Sequence, residues 1–331
     1  MPDTMPMNQV EARVLERIRA SFPVAARPFD VLAREMGLSE GEVLAIVRTL
    51  RATGALGRLG AVFDAHRLGY RSTLAAVSVD DDRADDVAAL IGEYPGVTHV
   101  YEREDRYNLW FTLLTPSTAR TRVLLDEIAE RSGVGGVLEL PAIRVFKVTT
   151  DMSTAGHGEV VSATPVEHPP AFSREEKALA RLVQADLPLI EHPFLALAKT
   201  LEECGYDVDE AWVVDAIVGW AAARLIRRFA ASGRMSSVGA NAVSVWMVPE
   251  ERIDEAGQAI AACENVSHCY QRPPAFGDSP AIYAMIHAPS REGIDACVES
   301  LSAHAELTPP RMLYAVREYK RTSMTYFAEG E

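Results

Sequence analysis

The feature that most constrains this chain is a stretch of sequence that occurs twice. Gly96-Val97-Thr98-His99-Val100-Tyr101-Glu102-Arg103 returns as Asn265-Val266-Ser267-His268-Cys269-Tyr270-Gln271-Arg272. His, Tyr and Arg keep their spacing at an offset of 169 residues. The same offset aligns Ala55-Leu56-Gly57-Arg58 with Arg224-Leu225-Ile226-Arg227, and the apolar run Leu74 to Val79 with Val243 to Val248. Beyond the motif the offset is 173, so the second copy carries an insertion of four residues. There Arg144-Val145-Phe146-Lys147 meets Arg317-Glu318-Tyr319-Lys320. A fixed period with a shared order of elements marks a duplicated folding unit. The copies run over about residues 8–150 and 171–322. Between them Asp151 to Ala171, rich in Ser, Thr, Gly, Pro and His, reads as a linker.

Each copy has two parts. Val10, Val14, Leu15 and Ile18 recur at helical spacing. The segment from Phe29 to Ser39 reads as a short helix, a glycine turn at Gly37, and Ser39 as the N-cap of a helix that Gly54 closes. With a β-wing over Gly57 to Phe63 this predicts a winged helix-turn-helix. From Ser72 the pattern changes to a strand at 73–80, a helix at 83–93, strands at 97–104 and 107–114, a helix at 117–132 and a strand at 138–148. That is the order of a ferredoxin-like βαββαβ domain. The second copy repeats it, with strands at 242–249, 265–272, 281–288 and 311–320 and helices at 250–262 and 290–303. The fold class is therefore α+β, a tandem repeat of the two modules. Winged helix-turn-helix domains are expected at 1–70 and 172–240, ferredoxin-like domains at 71–150 and 241–331, and the linker at 151–171.

A helix-turn-helix raises the question of DNA, and composition answers it. The chain has 33 basic and 47 acidic side chains, a formal net charge of −14. DNA binding needs Lys and Arg against phosphates and Arg, Lys, Asn or Gln at base edges. In the first recognition-helix position Glu40 and Glu42 offset Arg48 and Arg51. In the second, Asp209 to Ala223 has no base at all and reads as a packing helix built on Trp212, Val213, Ile217 and Trp220. No nucleic-acid partner is expected. The N-terminus lacks a signal-peptide core and no apolar run approaches a membrane span. The cysteines, Cys204, Cys263, Cys269 and Cys297, show no metal-like or CxxC spacing. The expectation is a cytoplasmic protein with no membrane partner, no disulfide framework and no resident metal.

Alternation along a strand puts His99, Tyr101 and Arg103 on one face, and likewise His268, Tyr270 and Arg272. Such polar residues either satisfy each other at an interface between the copies or line a ligand pocket, and the recurrence of the trio favours the pocket. Arg grips carboxylates through forked hydrogen bonds. Tyr donates a hydrogen bond or proton, and His ligates iron or acts as an acid near neutral pH. Arg58, Arg227 and Arg228, together with Arg144 and Arg317 and the lysines Lys147 and Lys320, are candidates to line a basic cavity for a polycarboxylate within an acidic protein. His287 alternates with Tyr283 and Met285 and has Leu114 as its counterpart, so it breaks the symmetry of the copies. His66, His157, His168, His192 and His304 read as loop, linker or surface residues.

Together these residues resemble a known family. Gly57-Arg58-Leu59-Gly60-Ala61-Val62-Phe63-Asp64, Leu68-Gly69-Tyr70 and Pro95 to Arg103 are similar to the siroheme decarboxylases. So are Val266 to Pro273 and Tyr283-Ala284-Met285-Ile286-His287-Ala288. That family has the architecture of Lrp/AsnC regulators. Its members pair as subunits, AhbA with AhbB in alternative haem synthesis and NirD, NirL, NirG and NirH in haem d1 synthesis. Two dissimilar copies in one polypeptide resemble a NirD–NirL fusion. One departure is that Tyr107-Asn108 follows the family before the third strand, whereas the second copy has Ser279-Pro280-Ala281.

The resemblance implies a decarboxylase that converts siroheme, an iron isobacteriochlorin, to 12,18-didecarboxysiroheme by removing two acetate carboxylates. It implies His268 and Tyr270, with His99 and Tyr101 as counterparts, as donors of the proton to the new carbon, or His268 or His99 as an axial ligand to the substrate's iron. Arg272, Arg103, Arg227, Arg228, Arg58, His287, Arg317 and Arg144 would bind substrate. No cofactor beyond the iron carried by siroheme is expected, and the copies should pack as an internal pseudo-dimer. The rival readings are a ligand-sensing regulator and a non-catalytic tetrapyrrole-binding protein.

Overall fold

The computed structural model describes residues 8–148, 166, 169–231 and 239–328. Most of the expected linker, with His157 and His168, lies outside the described residues. The first copy contains helices α1 (Gln9–Ala20), α2 (Pro28–Met36) and α3 (Glu40–Ala52), then β1 (Leu59–Phe63), β2 (Arg71–Val77), α4 (Ala84–Glu93), β3 (Val97–Arg103), β4 (Leu109–Thr115), α5 (Thr118–Ser132), β5 (Leu138–Pro141) and β6 (Arg144–Val148). The second contains α6 (Arg174–Val183), α7 (Pro193–Glu203), α8 (Glu210–Ala222), β7 (Ile226–Ala231), β8 (Ala240–Met247), α9 (Ile253–Ala261), β9 (Val266–Arg272), β10 (Ala281–Ala288), α10 (Arg291–His304) and β11 (Arg311–Arg321). The chain divides into a helical unit (1–68, 166–235, 325–331) and a sheet unit (69–165, 236–324), each built from both copies.

In the helical unit the local signals fall where the caps require them. Ser39 accepts from Glu42 N and Glu42 reaches back to Ser39, a capping box that starts α3. Gly54 follows α3 at φ 72°, a left-handed turn that a residue with a Cβ resists. Among the described residues the expected wing is not made within either copy. Each copy supplies one strand, and β1 pairs antiparallel with β7, Ala61 opposite Phe229. β1 is buried at Leu59, Gly60, Ala61 and Phe63, so it needs cover on both sides and finds it in the other copy. The approach is close: a Cβ on Gly60 would lie 2.5 Å from the Ala185 carbonyl. The two arginines of α3 also turn toward the second copy. Arg48 donates to Leu189 O at 2.8 Å and Arg51 pairs with Asp186.

The sheet unit is one nine-stranded sheet, ordered β5-β2-β4-β3-β11-β8-β10-β9-β6. Its two edge strands are consecutive in the chain, joined only by Ala142 and Ile143, so the sheet curls round until its edges nearly meet. The expected single strand at 138–148 is therefore two, broken after Pro141, which has no N–H to continue a ladder. β5 pairs with β2 of its own copy, whereas β6 pairs with β9 of the other. β11 does the same without a break. Arg311 to Tyr314 pair with β8, and Ala315 to Arg321 pair with β3. Each copy thus gives its last strand segment to the other.

Among the described residues of the sheet unit, strand alternation builds three cores. One packs α4 and α5 on the first sheet half, around Val87, Ile91, Val100 and Phe111. A second packs α9 and α10 on the other half, around Trp246, Ile260, Cys269 and Ile282. The third mixes inner-face residues of both copies, including Trp110, Leu140, Tyr283 and Leu313. The exchanged segments key into the helix-side cores. Phe146 of the first copy lies in the core of the second, against Gly257 of α9.

Candidate functional site

The polar trio lies on the inner face of the curled sheet. Val100 on β3 and Cys269 on β9 point into the helix-side cores, so His99, Tyr101 and Arg103, and His268, Tyr270 and Arg272, point the other way. Each trio forms a ladder. The His99 and Tyr101 rings are 6.3 Å apart and nearly parallel, and those of His268 and Tyr270 are 6.1 Å apart. The guanidinium carbon of Arg103 stands 5.1 Å from the centre of the Tyr101 ring, and that of Arg272 stands 4.4 Å from the Tyr270 ring. Exposure falls toward the arginine, because the histidines are half-buried while Arg103 and Arg272 retain 3% and 7%.

The arginine ends are bound to protein. Arg103 donates to Leu313 O at 2.9 Å and Arg272 donates to Leu140 O. Leu313 and Leu140 are counterparts, each at the point where a last strand crosses to the other copy. Arg103 also approaches Asn241 Oδ1 at 3.4 Å. Burial without a carboxylate partner lowers both guanidinium pKa values, that of Arg103 to about 10. The alternative that sequence left open, polar residues satisfying the interface between the copies, therefore describes the arginine end. Arg272 keeps a buried Nε with no partner.

The histidine end of each ladder is held by a neighbouring hydroxyl. His268 Nδ1 is 2.9 Å from Ser267 Oγ, which is 3.0 Å from His287 Nε2. His99 Nδ1 is 2.9 Å from Thr98 Oγ1, the counterpart of Ser267. Burial is the main reason that all three rings are held near pKa 4. Arg321 adds to it for His99 and His287, Arg103 for His287, and His287, His99 and Arg272 for His268. At neutral pH the rings are uncharged hydrogen-bonding groups.

The copies differ around the tyrosines. Tyr101 donates to Glu318 Oε2 at 2.7 Å, and burial with this carboxylate pushes its pKa to about 12. In the second copy Val145 stands opposite Tyr270 and Val148 opposite His268. Glu318 and Arg321, which occupy those places beside the first ladder, were not singled out in the sequence because their counterparts are apolar. Arg321 lies opposite His99 in the ladder and 3.7 Å from Glu318.

Other candidates fall elsewhere. Arg144 pairs with Asp254 and Arg317 with Asp85 at 2.5 Å, both on helices of the opposite copy. Lys147 donates to Cys263 O and Lys320 to Gly92 O, each at 2.7 Å, at the ends of the same helices. The expected cavity lining at these four positions is instead a grip on the neighbouring helices, because the exchanged segment presents them outward and counts its alternation through bulges. Arg58, Arg227 and Arg228 belong to the helical unit. There Arg58 donates to Gln184 O at 2.5 Å and Arg227 pairs with Asp64 at 3.1 Å. His192 precedes α7 and sits 3.7 Å from Glu210, His304 ends α10, and His66 is in a loop. Asn108 closes the end of β2 by bonding Val79 on both sides, and in the second copy Pro280 O takes the corresponding Val248 N–H. The departure at Ser279-Pro280-Ala281 is thus partly bridged by backbone. A hollow lined by Arg106, Phe276 and Arg311 also went unnoticed in the sequence. In it Arg311 is paired with the buried Asp105.

Comparison with known proteins gives the following. The family model described as the AsnC-like ligand binding domain matches residues 67–147 and 238–320, once in each copy. The model described as the siroheme decarboxylase NirDL-like HTH domain matches residues 11–56. A siroheme decarboxylase of Hydrogenobacter thermophilus is 34% identical over 322 residues, 96% of this chain and 95% of that one. The siroheme decarboxylase NirDL subunit of Paracoccus denitrificans is 33% identical over 97% of this chain and 98% of its own. A crystal structure of the siroheme decarboxylase NirDL in complex with an iron-uroporphyrin III analogue superposes with a TM-score of 0.76 at 33% identity, covering 97% of this chain and 95% of that one.

Proposed function

The chain belongs to the siroheme decarboxylase family, in the fused NirD–NirL form, and from that premise we propose that it acts as a carboxy-lyase on siroheme, giving 12,18-didecarboxysiroheme. The observation that carries the site is the hydrogen-bonded set of His268, Ser267 and His287 on the inner sheet face, with His99 and Thr98 repeating part of it in the first copy. Each decarboxylation breaks a carbon–carbon bond, releases carbon dioxide and leaves an electron pair that the tetrapyrrole ring accepts. A proton must then reach the methylene carbon to make the methyl group. His268 is the donor, with Tyr270 beside it. The His268 ring is neutral at neutral pH and carries a single N–H. An octacarboxylate brought against it offsets the cations around the ring and eases the proton uptake at Nδ1 that must accompany loss of the Nε2 proton. Tyr101 is the weaker candidate, because its hydroxyl proton is engaged in a hydrogen bond to Glu318. In the alternative, His268 or His99 would ligate the substrate's iron axially instead of supplying the proton.

The scheme calls for no redox cofactor beyond that iron. The fused form supports a place on the route to haem d1. A regulator reading lacks support in the recognition helices, where Arg48 and Arg51 are bonded within the protein. Anaerobic incubation with siroheme followed by mass spectrometry tests the activity. Loss of two carbon dioxide units is expected, and binding without loss would leave a carrier. His268→Ala should lower turnover ~100-fold or more, the scale of a lost general acid, with near-native siroheme binding. Turnover close to wild type would remove His268 from the mechanism.

A further inference from the structure

Ser267 joins the two histidines of the second copy, and its geometry is that of a bridge. The hydroxyl lies 2.9 Å from His268 Nδ1, 3.0 Å from His287 Nε2 and 3.4 Å from Met285 O, and it is 2% exposed. A hydroxyl has one proton to give and two lone pairs to accept with. When it donates to one ring it accepts from the other, so the protonation of the two rings is coupled through a single oxygen. His287 is held at its backbone by Asn265, which accepts its N–H at 3.0 Å and donates to its carbonyl at 3.0 Å. The first copy keeps half of this arrangement. Thr98 meets His99 Nδ1 at 2.9 Å, but Leu114 replaces His287, so the chain of donors stops there.

We propose that His287, Ser267 and His268 form a proton relay that recharges the acid after each decarboxylation, with Ser267 as its positioning residue. This rests on the reading that His268 delivers the proton. The balance is simple. The acetate loses carbon dioxide, and the C–H bond forms with the proton from His268 Nε2. As that proton leaves, Ser267 gives its proton to His268 Nδ1 and takes one from His287 Nε2, and His287 is reprotonated from solvent; before the second loss Nε2 takes up a proton from solvent while the Nδ1 proton returns through Ser267 and His287, which restores the starting tautomers. One proton is consumed for each carbon dioxide released. Two successive losses from one siroheme make the resupply necessary within a single binding event. The charges of Arg103 and Arg321 act on His287 and that of Arg272 on His268, with His99 neutral at neutral pH. This cationic surround favours release of a proton toward the substrate carboxylates over its retention.

The test compares Ser267→Ala, Ser267→Thr, His287→Gln and His268→Ala. Anaerobic kcat and KM for siroheme are measured between about pH 6 and 9, with siroheme binding followed by absorbance. Ser267→Ala should lower kcat ~10- to 100-fold, within the range of lost acid–base assistance, with the loss growing as pH rises and KM little changed. Ser267→Thr, the first copy's own residue at this place, should restore most of that kcat. His287→Gln should match the Ser267→Ala pH profile. A Ser267→Ala enzyme with wild-type kcat across the pH range overturns the relay. So does a loss that threonine does not restore and that siroheme binding shares. If His268→Ala turns over normally, the underlying reading fails. If His268→Ala is inactive while Ser267→Ala is not, only the relay fails.

Discussion

His99, His268 and His287 each meet the same conflict between sequence and environment. A histidine has an ordinary pKa of 6.5, and the inner sheet face holds all three near 4 by burial and by the cations around them. The consequence for stability has a definite sign. The unfolded chain takes up protons below pH 6.5 while the folded chain does not until about pH 4. The rings' contribution is therefore complete above about 6.5 and is lost as pH falls toward 4. A single ring is worth on the order of 3 kcal/mol over that window, and less when its neighbours titrate with it. The thermal midpoint should fall on acidification from pH 7.5 to 4.5, and His287→Leu, the first copy's residue, should fall less. Equal falls in the two proteins would mean that other groups govern the acid transition. At this scale the sequence was legible in part. Period-two alternation placed the trio on one face, but it carries no information about which end reaches solvent. Arg103 and Arg272 became interface residues because the crossing strands put the Leu313 and Leu140 carbonyls within their reach.

The last strand of each copy is the element on which the two copies depend. β6 brings Phe146 against α9 so closely that a Cβ on Gly257 would lie 2.3 Å from its ring. Gly257→Ala should destabilise by about 1–3 kcal/mol, the usual cost of overpacking, as measured by chemical denaturation. A neutral result would show that the β6–α9 packing yields easily. The first copy has Ala88 at the matching place, where Tyr319 turns its hydroxyl to Asp85 at 2.6 Å and Glu102 at 3.2 Å. Element boundaries could be read from pattern and caps, as the Ser39 capping box and the 281–288 strand show. Partnership could not. Nothing in Leu59–Phe63 says that its neighbour is β7, or in Arg144–Val148 that its neighbour is β9, because strand pairing is decided between segments far apart in sequence.

Two copies that exchange their final strands are interlocked within one sheet. If the chain is cut within residues 151–165, the halves should remain together in gel filtration and keep siroheme turnover. Each half produced alone should be insoluble or unfolded, since it would present an unpaired β3 or β9 edge. Separation of the halves after cleavage would mean that the linker holds the copies together. The duplicated sequence determined by itself that the molecule has two like parts, each a helix-turn-helix and a ferredoxin-like domain. It also determined that His, Tyr and Arg recur on one strand face and that the second recognition-helix position carries no basic residue. Those properties are local and periodic, and a chain carries them in its own spacing. Only the tertiary structure decided that both copies share one sheet, that Arg144 and Arg317 grip helices, and that His287, Ser267 and His268 stand in line. Those depend on distances across strands, which are set by register and curvature after the chain has folded.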